Sequence, residues 1–338
     1  AMESGYSSVG GSKTRRRTHQ LTTEMRRVAE SVGTPYVVAN ADLVEGIAAS
    51  LEGRWRIGAD LCEAAERHFL EHCTGVTWEL GTARSFGLRC HQFRGDIRVI
   101  TERFPALLRD AQERGDRYFA TNIVLFSHYV NLAADDPQKM TEEIEAAMHG
   151  WSHAGFHVQH MWHLRAGVEN AIYEGRGMLG WTRLAQSWRA ASGSLVARVQ
   201  FTGIVLEELR GRAALAAASE ATSPRERAHF LDIADRAAKR VEKQRTEWGS
   251  VLSQLLRAGT AFLRNRPDKT IKLLRDVESL GDEHEMFLHV ACARHRLGEI
   301  LGGADGSALK DTSRAWMLQQ GIHNPEAMMR AIVPWVGE

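Results

Sequence analysis

Helix-breaking turns recur at a nearly fixed interval along this chain, and that interval limits the folds open to it. The turns read LEGRW at 51–55, FRGDI at 93–97, AADDP at 133–137, YEGRG at 173–177 and LRNRP at 263–267. With Gly53, Gly95, Asp135 and Gly175 taken as equivalent, the intervals are 42, 40 and 40 residues. The next, to Asn265, is 90, which leaves room for two longer units with a turn near ATSPRER at 221–227. Between turns, apolar residues recur three and four apart, as in Leu61, Ala64, Ala65, Phe69 and in Leu252, Leu255, Leu256, Phe262. That is the spacing of one helix face, and no segment alternates convincingly as a half-buried strand would. A repeat of roughly 40 residues made of paired helices is the signature of an α-solenoid. Each pair cannot bury its apolar face alone, so its neighbours must stack on it.

The expected fold is all-α, a TPR-like α-solenoid of about seven or eight antiparallel helical hairpins. The array should span residues 18–304, with capping helices over 305–338. The TPR consensus is degenerate. Leu88 stands where that repeat favours a small residue and His91 where it favours an aromatic one, while Gly167, Val168, Ala171, Ala258 and Ala261 fit better. Residues 1–17 read as a tag remnant and flexible linker. GYSSVGGSKT lacks P-loop spacing, because Gly11 stands where the lysine belongs and no apolar strand precedes it. The triplet Arg15–Arg17 reads as solvated.

Composition narrows the function classes. Lys+Arg 43 against Asp+Glu 42 gives a net charge of +1, without a global pull toward nucleic acid or an anionic membrane. No apolar run approaches the roughly 18–20 residues of a membrane span. The four cysteines, Cys62, Cys73, Cys90 and Cys292, show no paired spacing, which implies reduced thiols and a cytoplasmic location.

The stretch MHGWSHAGFHVQHMWH, 148–163, holds five histidines. His149 and His153 would end one helix, Gly155 and Phe156 would turn the chain, and His157, His160 and His163 would begin the next. Two imidazoles at such spacings can share a face, as zinc requires. No Cys, Asp or Glu lies within the stretch to complete a shell, whereas Trp151, Phe156 and Trp162 suit a packed helix corner. The corner reading is preferred, with His157 and His160 kept as secondary contact residues and no metal or cofactor expected. Cys90 and His91 are adjacent on a helix and point about 100° apart, so they do not form a nucleophile–base pair. Glu142, Glu143 and Glu145 suit a helix N-terminus. Arg236, Lys239, Arg240, Lys243 and Arg245 form a basic face interrupted by Glu242 and Glu247, which reads as solvated. The apolar tail Trp316, Met317, Met328, Met329, Ile332 and Trp335 should cover the open edge of the last repeat.

Six phrases together resemble a known protein type. They are HCTGVTWELGTARSFGLR (72–89), LLRDAQERGDRYFATN (107–122), GFHVQHMWHLRAGVENAIYEG (155–175), LEELRGRAALAAAS (206–219), RAGTAFLRN (257–265) and DTSRAWMLQQGIHNPEAMMRAIVP (311–334). This order resembles the C-terminal TPR-like helical region of bacterial serine/threonine protein kinases fused to an AAA/STAND-type ATPase. The likeness covers roughly residues 20–336, and its motifs are structural rather than catalytic. It implies a non-catalytic sensor or docking region that binds a protein or peptide partner, including the kinase or ATPase part of the same polypeptide. Kinase and ATPase motifs are missing from this segment. Two alternatives stand beside it: the sensor array of a STAND-type regulator or defence protein, and a stand-alone helical metalloenzyme using the His149–His163 corner. In TPR geometry the concave face is lined by the first helix of each pair. Projection places Arg89, Gln92, Asn122, Tyr129, Trp162, Arg165 and Glu169 there, a mixture suited to a peptide groove.

Overall fold

The computed structural model describes residues 2–335, and among them every regular element is a helix. Two compact units are present: Ala1–Ser127 with Val199–Phe201, and His128–Arg198 with Thr202–Glu338. The first contains α1 (Met2–Ser8), α2 (Arg15–Val32), α3 (Pro35–Glu52), α4 (Trp55–His72), α5 (Thr77–Arg94), α6 (Ile97–Glu113) and α7 (Arg117–Phe126). The second contains α8 (Tyr129–Ala133), α9 (Pro137–Met148), α10 (Val158–Tyr173), α11 (Gly177–Gly193) and most of α12 (Gln200–Glu220). It continues through α13 (Pro224–Glu242), α14 (Glu247–Leu263), α15 (Pro267–Glu283), α16 (Phe287–Leu301), α17 (Gly303–Gln319) and α18 (Pro325–Ile332).

One backbone joint is used repeatedly. At Gly53, Gly95, Gly115, Asp135, Gly175, Asn265, Glu285 and Gly321 the chain leaves a helix through a residue whose φ lies between 54° and 86°. The next N–H donates to the carbonyl five residues back, as Arg54 to Ala49, Asp96 to His91, Asp136 to Asn131 and Arg266 to Ala261, at 2.9–3.0 Å. This is the Schellman arrangement, which satisfies carbonyls that a helix end would otherwise leave bare. A new helix starts within a few residues, so sequential helices reverse direction and pack as hairpins. The five turns read from the sequence all take this form. Gly115 and Glu285 mark further joints of the same kind; two helices lie between Gly53 and Gly95, whereas Gly95 to Asp135 holds three, α6, α7 and the short α8.

Consecutive helices pack against one another from α2 through α7 in the first unit. In the second, α9 packs on α10, α10 on α11, and each of α13 to α16 on its successor. In the first unit's core Trp55 stacks on Phe93 with ring centroids 4.6 Å apart, and Phe201 meets Phe93 edge-on at 5.3 Å. Among the described residues no helix is long and apolar enough to cross a membrane.

The N-terminal segment departs from expectation. Over the described part of 1–17 the chain is helical rather than a flexible linker. Ser7 Oγ lies 2.9 Å from Thr18 Oγ1, and Ser12 N–H donates to Gln200 Oε1 at 2.7 Å, which ties the segment down. At the other end Met317, Met328, Met329, Ile332 and Trp335 are buried, while Trp316 stays partly exposed. The tail covers more than the last hairpin: α18 packs on α10 and α16 as well as α17. Gly259 of α14 admits the Trp335 ring, since a Cβ there would lie only 2.5 Å from it. Residues 336–338 of the expected cap lie outside the described residues.

Candidate functional site

A gathering of ionisable groups in the second unit converges on Glu169, in the C-terminal half of α10 and 0% exposed. Arg165, one turn earlier, donates from Nε to Glu169 Oε1 at 2.9 Å. Arg212 of α12 places a guanidinium nitrogen 2.5 Å from the same oxygen, and another donates to the Ala331 carbonyl at 2.6 Å. His128, the residue before α8, holds Nε2 2.5 Å from Glu169 Oε2, and the Tyr129 hydroxyl lies 3.5 Å from Oε1. Glu208 pairs with Arg212 from one turn earlier on α12 at 2.8 Å. The Arg165 guanidinium carbon sits 5.3 Å from the Trp162 ring centroid.

Two guanidinium groups thus face two carboxylates inside the fold, a locally neutral arrangement. Burial opposes ionisation of Glu169, yet Arg165, Arg212 and the His128 hydrogen bond outweigh it and hold its pKa well below the usual carboxylate range. Glu208 is pushed up instead, because burial dominates there. His289 of α16 completes the surroundings. Burial, reinforced by Arg212 and Arg165, depresses its pKa to about 3, so it is neutral at pH 7. Both oxygens of Glu169 are engaged by donors within the fold, Oε1 by Arg165 and Arg212 and Oε2 by His128. The geometry is that of a buried clamp joining α8, α10 and α12 rather than a general base.

The seven residues projected onto a concave face are all buried, at 0–6% exposure, which corrects their placement on an open surface. Tyr129, Trp162, Arg165 and Glu169 are brought together in the Glu169 cluster, so their polar character serves the interior. Arg89, Gln92 and Asn122 lie in the first unit. The Arg89 guanidinium is held between the rings of Phe86 and Phe201, 3.9 and 4.7 Å from their centroids, and donates to Ser50 Oγ at 3.2 Å. Burial lowers its pKa to about 10. The Gln92 amide is buried with neither polar atom paired among the described residues.

The histidine corner is a loop and a cap. α9 ends at Met148, so His149 and His153 fall outside the helix, which corrects their expected place. His157 caps α10: its backbone N–H donates to His160 Nδ1 at 3.0 Å, and its side chain accepts from the backbone of the same residue. Trp151 Nε1 donates to His157 Nδ1 at 3.4 Å, and His163 Nε2 lies 3.0 Å from Glu145. Among the described residues no three His, Cys, Asp or Glu side chains are grouped as a metal would need.

The three buried thiols are equally quiet. Burial pushes Cys90 up to about 11 and Cys292 up to about 12, and raises Cys62 well above its ordinary value. An activated nucleophile would show the opposite shift. His91 does not face Cys90 as a base; its ring bridges Asp96 at 3.0 Å and Glu63 at 2.9 Å.

Sequence reasoning missed His128, Glu208, Arg212 and His289. Glu208–Arg212 and Arg165–Glu169 are both i, i+4 pairs of opposite charge on apolar helices, a local signal that a buried network is present. No family profile, curated protein or solved structure matches the chain.

Proposed function

We propose that this chain is a TPR-like region of a bacterial signalling protein that binds a protein or peptide partner and regulates an attached serine/threonine kinase–ATPase effector. The observation that carries the reading is the repeated Schellman joint, which turns the sequence into a succession of similar antiparallel helices. The internal saturation of Glu169 and the protonated state of the buried thiols add support, because the interior charge is spent on holding helices. A ligand preferring one arrangement of the hairpins would shift the effector's equilibrium by its differential affinity for the two states. In this reading the seven buried residues set the geometry of the hairpins, and the partner meets residues outward of them.

The test is to recover the endogenous polypeptide with an antibody raised against this chain and to sequence it by mass spectrometry. A polypeptide well above 37.7 kDa that also yields kinase and ATPase peptides is the expected result. A polypeptide of 37.7 kDa without them overturns the attachment to that effector.

A further inference from the structure

Between α13, α14 and α15 the second unit has a depression of about 220 Å3 whose charged lining is Asp235, Lys239, Arg257, Arg264, Arg266 and Lys269. Five cations therefore surround one carboxylate, in a chain whose overall charge is only +1. The carboxylate is already engaged, because Arg264 donates to Asp235 at 2.5 Å and to Asp232 at 3.2 Å. Arg257 pairs with Glu242, but its Nε–H is buried and has no acceptor among the described residues. Lys239, Arg266 and Lys269 are exposed and make no ion pair among the described residues. Three unpaired positive charges thus stand around one small concavity.

The fold explains why they meet. Lys239 extends from the last turn of α13, Arg257 lies on α14, and Arg264 is the C-cap that follows it. Arg264 and Arg266 bracket the left-handed Asn265 joint, and Lys269 sits in the first turn of α15, where free backbone N–H groups add to the positive field. The space is smaller than the roughly 300–1,000 Å3 of drug-sized ligand sites. A single carboxylate would leave most of the positive charge unmatched, whereas a tetrahedral dianion can accept from arginine forks and lysines at once.

We propose that this depression binds a phosphate group, either as the free anion or as the phosphomonoester of a larger molecule. The proposal stands independently of the kinase–ATPase reading. Titration calorimetry with inorganic phosphate, at about pH 8 and with ionic strength held by sodium chloride, tests it. The expected result is saturable one-site binding that weakens at least about tenfold in the Arg266→Gln/Lys269→Gln double variant. Both side chains are exposed, so the fold should survive, and Arg225→Gln on exposed α13 surface should bind like the parent. A non-saturable signal, or equal affinity in the parent and the double variant, overturns the site. A phosphoserine peptide binding more tightly than inorganic phosphate, with its unphosphorylated form silent, would identify a phosphomonoester as the source. Phosphate binding at least as well as the peptide would identify the free anion.

Discussion

Arg212 and Glu169 meet at 2.5 Å with side chains only 2% and 0% exposed, although 43 residues separate them in the sequence. A pair so completely withdrawn from water is held by its neighbours as much as by mutual attraction. Arg165 donates to the same Glu169 oxygen and His128 Nε2 lies against the other, while the Ala331 carbonyl accepts from a second Arg212 nitrogen. Glu169 is therefore the point on which three helices of the second unit agree.

Removing that charge should be costly. Glu169→Gln leaves two buried guanidinium groups short of a counter-charge and should destabilise the second unit by about 3–5 kcal/mol. Glu326→Gln, which breaks an exposed pair with Arg314, should change stability by no more than about 0.5 kcal/mol. Urea midpoints of both variants provide the comparison. Equal midpoints would mean that the cluster does not hold the helices.

Buried Arg89 should behave in the opposite way. It has ring faces and a hydroxyl around it but no carboxylate partner among the described residues, so its burial is not offset by an opposite charge there. Arg89→Met keeps much of the volume while removing the charge, and stability should stay level or rise by about 1–4 kcal/mol. A large fall in the thermal midpoint would contradict this description of the site.

Two histidines should give opposite pH dependences. His289 has its folded pKa depressed to about 3, so below its ordinary value of 6.5 the unfolded chain binds the extra proton. Its contribution is present above about pH 6.5 and is lost as pH falls toward 3. At His91 burial opposes protonation, but the carboxylates of Asp96 and Glu63 outweigh it and raise the pKa. Its contribution is full below 6.5 and is lost as pH rises through the folded value. Stability measured from pH 5 to 8 should lose its acidic slope in His289→Gln and its upper slope in His91→Gln. Unchanged slopes in both variants would refute the assignment.

The joints offer a backbone test. Asn265 and Glu285 adopt φ of 54° and 55°, a region that suits glycine better than a residue bearing a Cβ. Glu285→Gly should raise stability by a few tenths to about 1 kcal/mol, and Asn265→Gly by less, because asparagine tolerates this conformation. Gly95→Ala, at φ 86°, should lower stability by about 1 kcal/mol or more. Thermal melts of the three variants check the order.

Much of the backbone was legible in the sequence because it is written in local signals. Gly53, Gly95 and Gly175 announce left-handed joints, and the apolar spacing between them can only be helical. Gly115 carries the same signal but was hidden inside a run that reads as one unit, and Glu285 is a residue type that rarely marks such a joint. The side chains were less legible. Arg165 and Glu169 look like groove residues because charge ordinarily seeks water; only Arg212, His128 and Ala331, distant in sequence, make their burial tolerable. The terminal segment was misread for a similar reason, since its anchor, Gln200, lies 188 residues from Ser12.

On the proposed reading the chain acts by binding a partner rather than by chemistry in its interior. Cross-linking of lysines in intact source cells, followed by mass spectrometry of peptides from this chain, tests it most directly. Reproducible cross-links from its helices to kinase or ATPase segments, whether on the same polypeptide or another, are the expected result. Cross-links confined to this chain itself, under conditions that capture known complexes in the same cells, would contradict it.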